Sequence, residues 1–292
     1  MYYLLAILAD VGITGTFSIG KLYRDRMPWT VRSVAGKMAF TSFLSFWLFF
    51  TLNGFTLVLN GFTLLMAVVM AAIGILSEAV CFTAYGKGQI SLFTIFQMQG
   101  GMLLPFLYGA LRGDRLTAPR IAGILFMTIA LTLTAAPERK GSSKLSRGFI
   151  TLCCAIFLIN GSVSIGSYIY SNHPHTLGPN SFLICRAAIL CTVSTIGWCV
   201  AKFRGGIAAL KSSGLLPCAG LLFCSTALDN GSYFLQLVSA AHLSSTVLYP
   251  VVTGGTIVLT AIAGRMFFQE KQSKRALLGT ALSFLATLLF AF

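Results

Sequence analysis

Long apolar runs alternate with short polar connections along the whole chain. An α-helix needs about 20 mainly apolar residues to cross the hydrocarbon core of a bilayer, and ten runs approach or reach that length. They cover residues 2–22, 38–53, 62–86, 90–111, 118–136, 149–170, 180–202, 215–238, 244–268 and 274–291. The pattern therefore predicts an all-α integral membrane protein with ten transmembrane helices.

The longest polar connection, PERKGSSKLSR, divides the ten runs into two halves of five. We take 1–137 as a first five-helix repeat, 138–147 as a polar linker and 148–292 as a second five-helix repeat. Short motifs recur in the same order in both halves: GTFSIG and GSVSIG, Gly100-Gly101 and Gly254-Gly255, DRLT and EKQS, Gly123 and Gly279. Because each half has an odd number of helices, the second copy has to enter the membrane upside down. Inverted repeats of this kind form many secondary transporters, with the binding site between the halves.

Composition excludes the main alternatives to a membrane protein. Of the 292 residues, 56% are hydrophobic and only 10% are charged, against about 25% charged in a soluble domain. The net charge of +14 does not indicate nucleic acid, because the basic residues fall in short loops where they set topology and contact lipid headgroups. We predict a multi-pass protein of the plasma membrane, a monomer or a homodimer, with the lipid bilayer as a partner and no nucleic acid.

The basic residues also predict an orientation. Most of the 21 lysines and arginines lie in odd-numbered loops, and the first loop alone, counted from Lys21 to Lys37, holds five. The positive-inside rule places such loops in the cytoplasm. Both termini are therefore predicted to lie outside.

Two short motifs carry a resemblance to a known family. GDRLT at 113–117 precedes the fifth run, and QEKQS at 269–273 precedes the tenth. Both are similar to the acidic Gly-Glu-Arg-Leu-Thr turn of the drug/metabolite transporter superfamily, and the chain resembles its EamA-like ten-helix members. The resemblance implies the ten-helix fold and transport of a small solute, but also termini inside, in disagreement with the charge pattern. Thr117 and Ser273 are in addition expected to cap the helices that they precede.

Three carboxylates lie within apolar runs: Asp10, Glu78 and Asp229. A charged side chain costs about 2.5–3.5 kcal/mol or more at the bilayer centre, and it persists there when it faces a cavity or a partner. All three are candidates for proton coupling, because a carboxylate in a low-dielectric site can take up and release a proton. The alternative is structural: each carboxylate pairs with a buried base, such as Arg186 or Lys37, or caps a broken helix.

On two helices a carboxylate shares one face with residues four and seven positions later. A carboxylate with aromatic rings above it suits a cationic solute through charge pairing and cation–π attraction. We add an amide on the fourth helix, because a buried amide needs partners, and a tyrosine on the ninth. The predicted substrate-binding residues are Glu78, Phe82, Tyr85, Gln97, Asp229, Tyr233, Gln236 and Tyr249.

Glycines and a proline mark candidate hinges in the fourth and ninth runs: Gly100, Gly101, Pro250, Gly254 and Gly255. Proline removes one helical hydrogen bond and favours a kink. The alternative is close helix packing through glycine.

The sequence contains no catalytic motif, no nucleotide-binding loop and no metal-ligand cluster, so we predict neither an enzyme nor a cofactor or metal site. The predicted function is secondary transport of a small organic solute by alternating access, with protons as a candidate coupling ion. The aromatic rings and carboxylates favour a cationic or zwitterionic metabolite or drug. A non-transporting membrane subunit and a membrane-embedded enzyme are the alternatives.

Overall fold

The structure is a computed structural model that describes residues 2–27, 29–111, 117–135, 146–171, 173–175, 177–204, 215–240, 245–270 and 273–290. These residues form ten α-helices and no strand, which confirms the all-α prediction. The helices are α1 (Tyr2–Arg26), α2 (Val31–Leu52), α3 (Gly61–Tyr85), α4 (Ile90–Leu111), α5 (Ala118–Ala135), α6 (Arg147–Ser171), α7 (Pro179–Arg204), α8 (Leu215–Ala240), α9 (Ser245–Phe268) and α10 (Lys274–Phe290).

Length and apolar composition make several of these helices compatible with a bilayer. Among the described residues, α1, α2, α3, α4, α6 and α7 are each long and apolar enough to cross a membrane. Large apolar side chains such as Leu65, Leu125 and Phe267 stay exposed on the protein surface, as expected where lipid replaces water as the solvent. The fold is that of a multi-pass membrane protein.

Helix ends follow local capping chemistry, and one of them corrects the sequence prediction. The Thr30 hydroxyl accepts a hydrogen bond from the backbone N–H of Ser33 at 3.0 Å, so α2 begins at Val31 and not at residue 38. The apolar pattern missed these first two turns because they contain Arg32 and Lys37. At the other end, Ser273 caps α10 as predicted, accepting from the N–H of Ala276 at 3.0 Å.

The described residues include only part of the predicted cap before α5 and of the predicted linker before α6. The Thr117 hydroxyl has no hydrogen-bond partner in the described structure, although its carbonyl accepts from the N–H of Ile121 at 3.1 Å. Asp114 and most of the predicted linker at 138–147 lie outside the described residues, and α6 begins at Arg147.

Helices of the two halves interleave. α1 packs against α8 and α9, and α6 packs against α3 and α4. α2 packs against α7, and α5 packs against α10. These pairings leave a cavity between α1, α2, α3 and α4 of the first half and α6, α7 and α8 of the second.

Glu270 fastens the connection before α10 to the other half of the chain. Its carboxylate pairs with the Lys21 ammonium at 2.5 Å and accepts hydrogen bonds from the N–H of Ile90 at 2.7 Å and the hydroxyl of Ser91 at 2.6 Å. A carboxylate is favourable at this point because the first N–H groups of a helix lack internal partners. Glu270 is thus the N-terminal cap of α4.

Candidate functional site

The main candidate site is a cavity of about 590 Å³, lined from both halves by side chains of α1, α2, α3, α4, α6, α7 and α8. This volume falls in the range of small-molecule sites. Its lining combines charged groups with amides, hydroxyls and aromatic rings. The lining includes Phe17, Lys37, Ser45, Phe49, Glu78, Tyr85, Gln97, Asn160, Arg186, Asp229, Asn230 and Tyr233.

Two basic and two acidic side chains line the cavity, so their charges balance: Lys37, Arg186, Glu78 and Asp229. Lys37 of α2 forms an ion pair with Glu78 of α3. Both side chains are largely buried, so each charge compensates for the desolvation of the other. This pair, which we call the closed pair, leaves no net charge at its position in the wall.

Arg186 and Asp229, the open pair, are arranged differently. They lie close enough to interact through their charges, yet no nitrogen–oxygen distance between them falls within 4.0 Å. Neither side chain hydrogen-bonds to any residue that the structure describes, and the Arg186 Nε is buried without a partner. Asp229 lines the cavity and is exposed as a residue, although its carboxylate lies deep enough in the protein to be desolvated.

Arg186 reaches the cavity beside a glycine of α3. A Cβ at Gly74 would lie 3.4 Å from Nη2 of Arg186, so the glycine leaves room for the guanidinium. Gly74 stands one helical turn before Glu78. The two pairs therefore share one region of the wall.

Neutral polar groups extend the wall. The Asn160 amide donates to the Gln97 carbonyl at 2.7 Å, which joins α6 to α4, and the Gln97 side-chain oxygen has no partner in the described structure. The Asn230 amide donates to Ser45 at 3.2 Å. Gln97 is thus placed at the cavity, as predicted, with a free acceptor.

Aromatic rings line the cavity at several points. Tyr85 packs edge-to-face on Phe93, with ring centroids 5.5 Å apart. Tyr233 packs edge-to-face on Phe49, at 6.1 Å. Both tyrosines were predicted from their spacing after a carboxylate, and both line the cavity together with Phe17.

The structure does not bring Phe82 to the cavity. Its ring is buried between Tyr23, at a centroid distance of 5.9 Å, and the Arg24 guanidinium, at 5.1 Å. The row of α3 that faces the cavity runs through Gly74, Glu78 and Tyr85, and Phe82 lies beside that row. The spacing predicted the face of α3 to within one residue position, and an error of one position is enough to turn Phe82 away from the cavity.

Gln236, Tyr249 and Pro250 lie on α8 and α9, but their side chains fall outside the described part of the structure. α9 runs as one helix from Ser245 to Phe268, through Pro250.

Asp10 does not line the cavity. It is 1% exposed between α1 and α9, where it accepts a hydrogen bond from Thr256 at 3.4 Å. Its Oδ2 has no partner among the described residues and would lie 2.0 Å from a Cβ at Gly255. Asp10 therefore contacts α9 at one of the predicted hinge glycines.

The predicted hinge glycines all lie at close contacts. A Cβ at Gly100 would lie 2.1 Å from the backbone oxygen of Phe157, and one at Gly101 would lie 2.5 Å from the Asn160 amide. A Cβ at Gly254 would lie 2.5 Å from the Thr287 hydroxyl. This geometry supports the alternative interpretation, in which glycine lets neighbouring helices approach closely.

Sequence reasoning named Lys37 and Arg186 only as structural partners of the carboxylates, although both line the cavity. The intramembrane position of Arg186 was a usable signal, since an arginine in an apolar run is costly. No such signal existed for Lys37, because the pattern placed it in a loop.

Comparison with known proteins does not assign the chain to a group. No family model matches the sequence, and no curated protein matches it. The resemblance to drug/metabolite transporters thus rests on the short motifs and stays a prediction.

Proposed function

We propose that this protein is a secondary transporter that moves a small organic solute across the membrane by alternating access. The observation that carries the proposal is the cavity of about 590 Å³ with ionisable groups from both halves of an apolar helical protein. Buried charge that is not neutralised locally is costly in a membrane protein. The binding and release of a solute at this cavity would account for the presence of such charges.

The helix pairings support two similar five-helix halves, and the odd number of helices in each half makes such a repeat inverted. If each helix is exchanged for its counterpart five places along the chain, the α1 contacts with α8 and α9 become the α6 contacts with α3 and α4, and both sets occur. The α2–α7, α4–α9 and α5–α10 contacts map onto themselves, and they occur as well. This is the pattern expected of two similar halves around a pseudo-twofold axis.

Asp229 and the aromatic rings of the lining support a solute with a positive group. Asp229 offers an exposed carboxylate, and Tyr233 and Tyr85 place aromatic rings on the same cavity. Cations are attracted both by a carboxylate and by the face of an aromatic ring. A cationic or zwitterionic metabolite or drug fits this wall, and a proton competing for the same carboxylate would couple transport to a pH gradient.

Uptake into proteoliposomes tests the proposal. Radiolabelled choline, lysine and phenylalanine cover cationic and zwitterionic solutes. We expect uptake of at least one of them above that of empty liposomes, and a loss of about tenfold or more in Asp229→Asn, which removes the charge and keeps the shape. Asp25→Asn makes the same chemical change at an exposed site outside the cavity and should transport like the unmodified protein.

The same assay separates the alternatives. Uptake that follows an imposed pH gradient indicates proton coupling, and uptake that ignores the gradient indicates a facilitator. A solute that binds the protein but never crosses the liposome membrane would contradict the transporter and favour a non-transporting subunit.

A further inference from the structure

We propose that the open pair, Arg186 and Asp229, binds the two opposite charges of one zwitterionic solute. The carboxylate of the solute pairs with Arg186, and the ammonium of the solute pairs with Asp229. This inference rests on the proposed function and narrows its substrate class. It distinguishes a bipolar solute from a simple cation, which needs only Asp229.

The first argument is that the open pair is left unsatisfied. Arg186 has five N–H donors and no acceptor; its Nε is buried without a partner, and its guanidinium takes part in neither ion pair of the described residues. Asp229 likewise accepts no hydrogen bond from the described residues. Two opposite charges that face one cavity without meeting leave a gap for a ligand with the complementary pair of charges.

The second argument is that the closed pair makes the direct contact that the open pair lacks. Lys37 and Glu78 line the same cavity from α2 and α3 and neutralise each other by direct contact. The wall therefore already holds a pair that needs no ligand. Side-chain length does not explain the difference: arginine reaches one atom farther than lysine and aspartate one atom less than glutamate, so the two pairs have a similar combined reach.

The third argument is net charge. The closed pair sums to zero, and so does the open pair. A solute with one positive and one negative group leaves the cavity neutral when it binds, whereas a cation alone leaves Arg186 uncompensated. A planar guanidinium also suits a carboxylate better than an ammonium does, since it can donate two parallel hydrogen bonds.

The experiment measures binding of a matched set of probes to the purified full-length protein by isothermal titration calorimetry. The probes are phenylalanine and the straight-chain series glycine, β-alanine, γ-aminobutyrate, δ-aminovalerate and ε-aminocaproate, which vary the distance between the two charges. Each is compared with its methyl ester, which keeps only the ammonium, and with its N-acetyl derivative, which keeps only the carboxylate. We expect at least one amino acid to bind about tenfold or more tightly than either derivative.

Variants assign each charge to its residue. Arg186→Gln should remove the advantage of the amino acid over its ester, and Asp229→Asn should remove its advantage over the N-acetyl form. Arg186→Lys keeps the positive charge and should retain part of the preference. Arg265→Gln and Asp25→Asn make matched changes at exposed positions outside the cavity and should leave the order of affinities unchanged. Unfolding temperatures without ligand identify any variant that fails to fold, in which case Arg186→Lys carries the test.

Two results would overturn the inference. Esters that bind as tightly as the amino acids, with no effect of Arg186→Gln, would indicate a cation site at Asp229. Absence of binding by every bipolar probe would contradict a zwitterionic solute as the ligand of the open pair. Neither result concerns movement across the membrane, so the transport proposal fails separately, in the liposome assay.

Discussion

At the residue scale, the closed pair is the clearest example of mutual dependence. The Lys37 and Glu78 side chains are 12% and 24% exposed, so neither charge is fully hydrated. Removing one partner of such a pair leaves the other without compensation, whereas removing both leaves two neutral side chains.

We therefore predict that Lys37→Gln and Glu78→Gln each lower the free energy of unfolding by about 1–3 kcal/mol, less than for a fully buried pair because both groups keep some solvent. The double variant should be more stable than the sum of the two effects implies. Denaturant unfolding of the four proteins in one detergent measures this coupling. Simple additivity would show that the contact contributes nothing.

The residue scale also shows where sequence reasoning stops. An apolar pattern marks Glu78 and Asp229 as unusual because their cost is intrinsic to the residue type. It cannot show that Lys37 lies against Glu78, or that Arg186 stays apart from Asp229, because those facts depend on how α2, α3, α7 and α8 are rotated against one another. Phe82 and Tyr85 illustrate the limit, since both share a face with Glu78 by spacing and only Tyr85 lines the cavity.

At the element scale, helix existence was predictable and helix contacts were not. Runs of apolar residues identify segments that a bilayer solvates, and each of the ten coincides with a helix. The missed start of α2 has a local cause, a threonine cap in front of two charged turns. The pairing of α1 with α8 is a long-range contact, for which the local pattern holds no information.

Glycine positions at helix crossings give a second test. Gly100→Ala should lower the unfolding temperature, because the new methyl group would lie 2.1 Å from a backbone oxygen of α6 and push the two helices apart. A core overfilled by one methyl group typically loses about 1–3 kcal/mol. Thermal unfolding in detergent measures the effect.

Gly220→Ala is the matched control, because a Cβ at this helical glycine meets no atom within 4 Å. We expect it to be neutral or slightly stabilising, since alanine favours a helix over glycine by about 0.5–1 kcal/mol. Equal losses in both variants would mean that the close contact at Gly100 is not what limits stability.

At the scale of the whole molecule, two ion pairs bear on how the protein is oriented in the membrane. Lys21 and Lys37 belong to helices and make ion pairs, so they do not act as loop charges. Omitting them leaves most of the basic residues in the odd-numbered loops, and the charge pattern keeps its direction. The family resemblance implies the opposite orientation.

We predict that both termini lie outside, by the positive-inside rule. A reporter fused after Phe292 that is active only outside the cytoplasm should be active, and a reporter active only in the cytoplasm should not. Fusions in the loop between α1 and α2 should give the reverse pattern and serve as the internal control. Activity of the cytoplasmic reporter at Phe292 would favour the orientation that the resemblance implies.

The cap that Glu270 provides to α4 has a consequence for how the chain is made. Synthesis proceeds from the N-terminus, so α4 leaves the ribosome long before its capping carboxylate exists, and α1 leaves before its partners α8 and α9. Until then the first N–H groups of α4 lack this cap, and α1 lacks its contacts with α8 and α9. The hydropathy of the first four helices therefore holds them in the bilayer at a stage when Lys37 and Glu78 can already pair but Glu270 has not yet been translated.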